Sequence, residues 1–271
     1  MTARRWWGGG RFGEPEERLS VLDLYNSGTL DLHLAGLLWL IMEKRASILV
    51  ASGPMMAGKT TLLNVMLDFL HPAIKEIRMQ GLFEDFSFLK QAEASNSYLV
   101  AEEFSGDRLE YMWGEPAQKA FNLMSEGFSI AGTIHAQTAR ETIYLLNEYL
   151  GLPAETIGRL GAIITIRATR GRDRYSEPIR RIDSVSLLFA HQDSISIHMI
   201  VTRELGTDRL VFAAKKEMQD ALRRKFALDN DSVENEIEIR GRLLARLLTE
   251  GKTSRDEVRT AIVEFYASRA T

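Results

Sequence analysis

The run SILVAS at residues 47–52 passes directly into GPMMAGKTT at residues 53–61, and no other stretch constrains the fold as tightly. A short aliphatic run closed by glycine predicts a buried strand, here Ser47 to Ser52. Apolar residues then recur at helical spacing, predicting a helix over Thr60 to Leu70. A strand that turns through glycines into a helix commits the chain to a crossover, and so to a sheet with helices packed on it.

The fixed positions of this turn, Gly53, Gly58, Lys59 and Thr60, match G-x-x-x-x-G-K-[ST] in the strand-to-helix context the motif requires. Its physics is that of a phosphate cradle. Glycines let successive N–H groups turn toward phosphate oxygens, and the helix N-terminus adds positive potential. The expected binding set is Gly53, Pro54, Met55, Met56, Ala57, Gly58, Lys59, Thr60 and Thr61. Lys59 is expected to reach the β and γ phosphates, and the Thr60 hydroxyl to ligate magnesium, so ATP and Mg2+ are the expected cofactors. A chance Gly-Lys-Thr turn is the competing reading. Met55 and Met56 occupy variable positions and read as loop-packing residues, with contact to a neighbouring subunit as the alternative.

Beyond the loop the pattern alternates. Strands are expected at Ile74–Met79, Tyr98–Ala101 and Ser129–Ile134, and helices at Phe83–Ala94, Ala117–Glu126 and Ala139–Leu150. That order implies an α/β fold, a largely parallel sheet covered by helices on both faces. After Leu160 the segments Ala162–Ala168, Ile182–Phe189, Ser194–Val201 and Arg209–Phe212 read as strands of a β-hairpin extension. From Lys215 the chain reads as helical, with Ser254 and Glu257 at capping-box spacing before a last helix. Residues 1–19, rich in glycine and charge, read as a flexible arm.

Composition narrows the classes. The chain has 271 residues, 45% of them hydrophobic, enough for one sizeable core. A formal net charge of -3 gives no global field for nucleic acid, so no direct nucleic-acid partner is expected. The absence of cysteine removes disulfides and thiolate chemistry and fits a reducing cytoplasm. The longest apolar run, Leu34–Met42, is about half a bilayer span and predicts a buried helix, not a membrane-spanning one.

A phosphate loop needs an acidic partner at a neighbouring strand end. Tyr98 to Ala101 followed by Glu102 and Glu103 supplies one, and either carboxylate could orient water or hold the metal through water. The stretch Gly132-Thr133-Ile134-His135-Ala136 ends the next expected strand, where ligands of open parallel sheets sit, so Thr133 and His135 are candidates to face the γ-phosphate. A histidine at a strand end is, on its own, more often structural.

Together GPMMAGKTT, LVAEE and EGFSIAGTIHAQTARETI resemble, in the same order, the secretion and pilus ATPase family, the motors of type II and type IV secretion and type IV pili. The similarity runs from about Ser20 to Ala267, taking in RRIDSV at Arg180–Val185, and is nearest in feel to the tight-adherence and archaeal-flagellum branch. The resemblance implies a RecA-like motor domain over 20–214 with a helical subdomain over 215–271. It implies a homo-oligomer, a hexameric ring, working in the cytoplasm against an inner-membrane platform or pilin-like machinery. By the same resemblance, Glu102 is the Walker B carboxylate, doubling as metal-site residue with Thr60, and His135 a sensor of the γ-phosphate.

The sequence departs from the family in three places. About fifty residues precede the loop where the family carries a separate domain. Gln80 stands where the family's acidic box has a carboxylate, with Glu84 and Asp85 nearby as possible substitutes. Ala101-Glu102-Glu103-Phe104-Ser105 lacks the arginine of the family's Gly-Glu-x-Arg-Asp. Glutamine is no base, and a neutral residue does not replace an arginine's charge. Candidates for a trans-acting arginine are Arg78, Arg108, Arg140 and Arg170. The cluster Arg167, Arg170, Arg172, Arg174, Arg180 and Arg181 reads as a subunit contact before a nucleic-acid stripe. Three functions stay open: an ATP-driven motor, a nucleotide-binding subunit with little or no hydrolysis, and a DNA-dependent translocase.

Overall fold

The computed structural model describes residues 18–53, 56–169, 177–204, 206–228 and 233–269. The arm expected over residues 1–19 falls almost wholly outside them, as do Pro54, Met55, Arg170, Arg172 and Arg174.

The chain enters through α1 (Val21–Asn26), opened by a capping box in which Ser20 and Asp23 satisfy each other's backbone N–H groups. Helix α2 (Leu32–Glu43) follows, and strand β1 (Ile48–Ala51) leads through the glycine loop to α3 (Lys59–Leu67). Then come β2 (Lys75–Arg78), β3 (Ser97–Phe104), α4 (Gly114–Asn122), β4 (Ser129–Ile134), α5 (Ala139–Tyr144) and α6 (Ala154–Gly158). Strands β5 (Ala162–Thr169), β6 (Ile179–His191), β7 (Ser194–Glu204) and β8 (Arg209–Phe212) precede helices α7 (Lys215–Phe226), α8 (Val233–Thr249) and α9 (Arg255–Ala267).

All eight strands form one sheet in the order β2-β3-β4-β1-β5-β6-β7-β8. The run from β2 to β5 is parallel, and β5 to β8 is an antiparallel meander. The fold is therefore α/β with a mixed sheet. The segments expected as a hairpin extension instead continue the main sheet, because β5 pairs with β1 on one edge and β6 on the other. Alternate residues of the central strands feed two apolar layers. Ile48, Val50, Tyr98 and Val100 face α2, α3 and the C-terminal helices, whereas Leu49, Ala51, Leu99 and Ala101 face the side of α4 and α6.

The helix expected over Phe83–Ala94 does not form. Short 3-10 turns occupy Gly81–Phe83, Ser87–Lys90 and Ala94–Asn96. Local carboxylates out-compete the helix: Glu84 accepts from the N–H groups of Gln80 and Phe86 at 2.7 and 2.8 Å, and Asp85 accepts from Ser87 N–H at 2.8 Å. The helix expected over Ala139–Leu150 stops at Tyr144 and passes into a π-turn over Leu145–Tyr149. Strand β3 runs past Ala101 to Phe104, which brings both Glu102 and Glu103 into the ladder.

Helix α2 is buried around its whole circumference from Leu34 to Met42, held between the sheet and α8. Gly36 lets the backbones touch, since a Cβ there would lie 2.3 Å from Ile237 O. No helix among the described residues is long and apolar enough to cross a membrane. Helix α9 grips the C-terminal end of α3. Arg255 forks onto Asp68 at 2.8 and 2.6 Å, Arg259 donates to Leu70 O at 2.7 Å, and the Tyr266 hydroxyl donates to Phe69 O at 2.7 Å. Cationic donors at a helix C-terminus satisfy its orphan carbonyls and its dipole together, and they fix the helix whose other end carries Lys59.

Across the same layer Arg240, fully buried, joins Glu43 of α2 to Glu236 of α8, and Arg269 also donates to Glu236. Burial raises the Glu236 carboxyl, but hydrogen bonds from Arg269 and Arg240 outweigh it and hold the group at about 2. The unfolded chain therefore takes up this proton first as pH falls. The stabilisation is whole above the ordinary value of 4.5 and is lost as pH drops through about 2. The expected result is that Glu236→Gln lowers the urea midpoint at pH 6, and that the gap to wild type closes by about pH 2.

Candidate functional site

The loop begins where β1 ends. Ser52 is buried, its Oγ without a hydrogen-bond partner, and Gly53 packs so closely that a Cβ would lie 2.5 Å from Cγ of Gln137. Met56 is left-handed at φ 59° with its side chain 74% exposed, so the loop-packing role expected of it is not seen. Ala57 is buried, and Gly58, at φ 95°, forms the N-cap of α3. Only glycine takes that φ without a steric cost. No side chain caps α3, and among the described residues no acceptor meets the N–H groups of Ala57, Gly58, Lys59 or Thr60. A helix start with free N–H groups is a ready anion site. Thr60 is exposed at its rim and Thr61 half-buried.

The ends of β3 and β4 converge on Lys59. Its ammonium lies 3.6 Å from Glu103 Oε2 and 3.3 Å from His135 Nδ1. His135 Nε2 lies 2.8 Å from Glu103 Oε1, an ion-pair distance without hydrogen-bond alignment, since that oxygen has no hydrogen-bond partner. One tautomer suits both contacts, with Nδ1 accepting from Lys59 and the proton on Nε2 toward Glu103. The Thr133 hydroxyl points between Glu102 O at 2.8 Å and Glu103 Oε2 at 3.2 Å. Burial depresses the Lys59 ammonium, and the Glu103 carboxylate works against that shift.

The Glu102 carboxylate takes no part in this cluster; the residue is exposed, whereas Glu103 is 6% exposed. The cause is a β-bulge. Val100 pairs with Ala131 and Glu103 with Thr133, so Ala101 and Glu102 together oppose the single Gly132. Strict alternation would have put Glu102 on the face of Tyr98 and Val100, the face that α3 covers. One extra residue hands that place to Glu103. Gly132 makes the bulge possible, because a Cβ there would lie 2.5 Å from the Phe104 ring.

The other candidates sit elsewhere. Gln80 is exposed, and the carboxylates of Glu84 and Asp85 are spent on their own loop. Arg78 bonds Asn64 and Glu76 on the surface, Arg108 lies 3.6 Å from Glu110, and Arg140 is exposed. Of the basic cluster, Arg167 pairs with Asp183 and Arg181 with Asp208, each at 2.8 Å, so these two do not offer a free stripe. Among the described members of the cluster, Arg180 is the one that turns inward, to the glycine loop: it is 8% exposed and its Nη2 donates to Met56 O at 3.3 Å. In the sequence Arg180 belongs to the basic cluster and stands at the head of RRIDSV, two residues before the strand expected from Ile182, and neither signal points to the loop.

The donor set fits a nucleoside triphosphate with magnesium: free N–H groups at a helix start, a buried lysine, a hydroxyl at the rim, and a carboxylate and imidazole across the gap. No group of three or more His, Cys, Asp or Glu suited to a metal occurs among the described residues. A magnesium ion at such a loop instead draws on a hydroxyl, phosphate oxygens and water.

No family model matches the chain. It is 25% identical over 279 residues to one uncharacterized protein of Methanocaldococcus jannaschii, covering 92% of this chain and 49% of that protein. It is 24% identical over 247 residues to a second uncharacterized protein of that organism, covering 83% of this chain and 90% of the relative. The chain thus spans about half the length of the first of these relatives. Among solved structures, the VirB11 ATPase of the Brucella suis type IV secretion system, in complex with sulphate, aligns with a TM-score of 0.40 at 16% identity over 62% of this chain and 54% of that one. The pilus retraction motor PilT with bound ADP aligns at 0.36 and 15% identity over 82% and 64%. The Legionella pneumophila ATPase DotB aligns at 0.38 and 13% identity over 87% and 66%. At such scores the functional weight falls on the site's own residues.

Proposed function

We propose that the chain binds ATP with magnesium at residues 53–61 and hydrolyses it. The observation that carries this reading is the convergence of Glu103 and His135 on Lys59 at the mouth of a free helix N-terminus. The backbone of Ala57 to Thr60 and the Lys59 ammonium would hold the phosphates, and the Thr60 hydroxyl would ligate the metal. When bound, magnesium offsets charge on the β and γ oxygens. Lys59 leaves Glu103 for the phosphate oxygens, which frees the carboxylate. Glu103 accepts a proton from water as its oxygen bonds to the γ-phosphorus and the bond to the β,γ-bridging oxygen breaks. Thr133 and His135 keep Glu103 aimed, and His135 is placed to sense the γ-phosphate.

On this reading the chain is a motor subunit of the secretion and pilus ATPase type, built on a RecA-like domain with the C-terminal helices packed on it. The family resemblance supports a homo-oligomer, a hexamer, working in the cytoplasm on a membrane platform or pilin-like machinery. Two observations favour a second reading, a nucleotide-binding regulatory subunit. Gln80 is exposed where the family has a carboxylate, and residues 101–105 carry no arginine. Steady-state phosphate release separates the two. Release above buffer background, lost in Lys59→Ala, is expected. Background release by wild type that still binds ATP would overturn hydrolysis in favour of the second reading.

A further inference from the structure

We infer that Arg180 is a positioning residue for the phosphate loop, acting in the same chain through the carbonyl of Met56; this rests on the nucleotide reading above. The residue it touches is strained. Met56 holds φ 59°, a left-handed conformation that brings an L residue's Cβ too close to a carbonyl oxygen. Its side chain contributes nothing obvious to that state, being 74% exposed. The described donor that reaches its backbone is Arg180 Nη2, 3.3 Å from Met56 O.

The geometry of the peptide group says what this hold achieves. In a planar trans peptide the C=O of one residue and the N–H of the next point in opposite directions. Turning the Met56 carbonyl toward Arg180 turns the Ala57 N–H away from it, and that N–H meets no acceptor among the described residues. A donor kept unpaired and aimed is what an incoming phosphate oxygen needs. Arg180 is itself fixed: it stands on β6 opposite Ala168 of β5, the strand beside β1, and also donates to Pro178 O at 3.4 Å. It therefore enters from the antiparallel half of the sheet, and a buried guanidinium there adds positive potential beside the loop.

A brace on the loop backbone serves bound ADP and ATP alike, so it contributes uniform binding rather than transition-state stabilisation. Arg180→Met is expected to weaken binding of Mg-ADP and of a non-hydrolysable ATP analogue about tenfold each, as for loss of one charge-assisted hydrogen bond. KM for ATP should rise in step, kcat should fall less than about threefold, and the nucleotide-free melting temperature should stay near wild type. Arg180→Lys keeps the charge without the planar fork and should fall between the two, weaker than wild type by about threefold or more. It also serves as the second variant should Arg180→Met not melt cooperatively. Wild type that binds nucleotide while folded Arg180→Met or Arg180→Lys binds it within about twofold overturns this inference alone. A loss confined to kcat, with both affinities kept, overturns it as well. Wild type that binds neither nucleotide overturns the nucleotide reading and this inference together.

Discussion

Glu103→Gln is expected to lower steady-state phosphate release by about 10²–10⁴-fold, the usual contribution of a positioned general base, whereas Glu102→Gln stays within about twofold of wild type. The two residues are neighbours of identical chemistry, so the contrast isolates position. Glu103 is buried, 3.6 Å from the Lys59 ammonium and 2.8 Å from His135 Nε2, and within reach of the Thr133 hydroxyl. Glu102 faces solvent. Glutamine keeps the shape of Glu103 and removes the base, so ATP binding should survive in that variant. Filter binding or calorimetry would show this. If Glu102→Gln were the silent enzyme and Glu103→Gln the active one, the bulge would not govern the site and the assignment of the base would be reversed.

The second large effect lies in the core. Arg240→Ala is expected to destabilise the fold by about 3–5 kcal/mol, read as a fall in the urea midpoint at unchanged slope. The arginine side chain is fully buried, bonded to Glu43 and to Glu236, and its guanidinium lies 5.1 Å from the Phe265 ring centre and 5.8 Å from that of Trp39. Removing it leaves two carboxylates on facing helices with their shared partner gone. Glu236 keeps Arg269, so most of the loss is the uncompensated charge of Glu43, and replacing Arg240 and Glu43 together by apolar residues of similar volume should recover part of it. A midpoint unchanged by Arg240→Ala would mean that water, not Arg240, satisfies the two carboxylates.

Several elements were legible beforehand because their signals are local. The glycine loop between an aliphatic run and a helical pattern, the strand at Ser129–Ile134 and the capping box at Ser254 depend on residues within a few positions of one another. The helix expected over Phe83–Ala94 is absent for an equally local reason: Glu84 and Asp85 bind neighbouring N–H groups that a helix would have needed. The expected hairpin extension joins the main sheet for a non-local one. Whether β5 ends a parallel sheet or carries an antiparallel one depends on what lies on its far edge, and a strand's own residues do not state its neighbours.

The sequence by itself determined that a glycine loop of the G-x-x-x-x-G-K-[ST] pattern starts a helix, and that carboxylates and a histidine follow at strand ends. Those are properties of residue type and spacing. Only the tertiary structure decided which carboxylate meets Lys59 and which arginine meets the loop. Strand alternation by itself selects Glu102. One unpaired residue opposite Gly132 shifts the face and brings Glu103 to the lysine. Arg180 stands 124 positions from Met56 in the chain and reaches it because β6 pairs with β5, the strand beside β1. A one-residue slip inverts every side chain beyond it, and long-range pairing joins residues that no local pattern links.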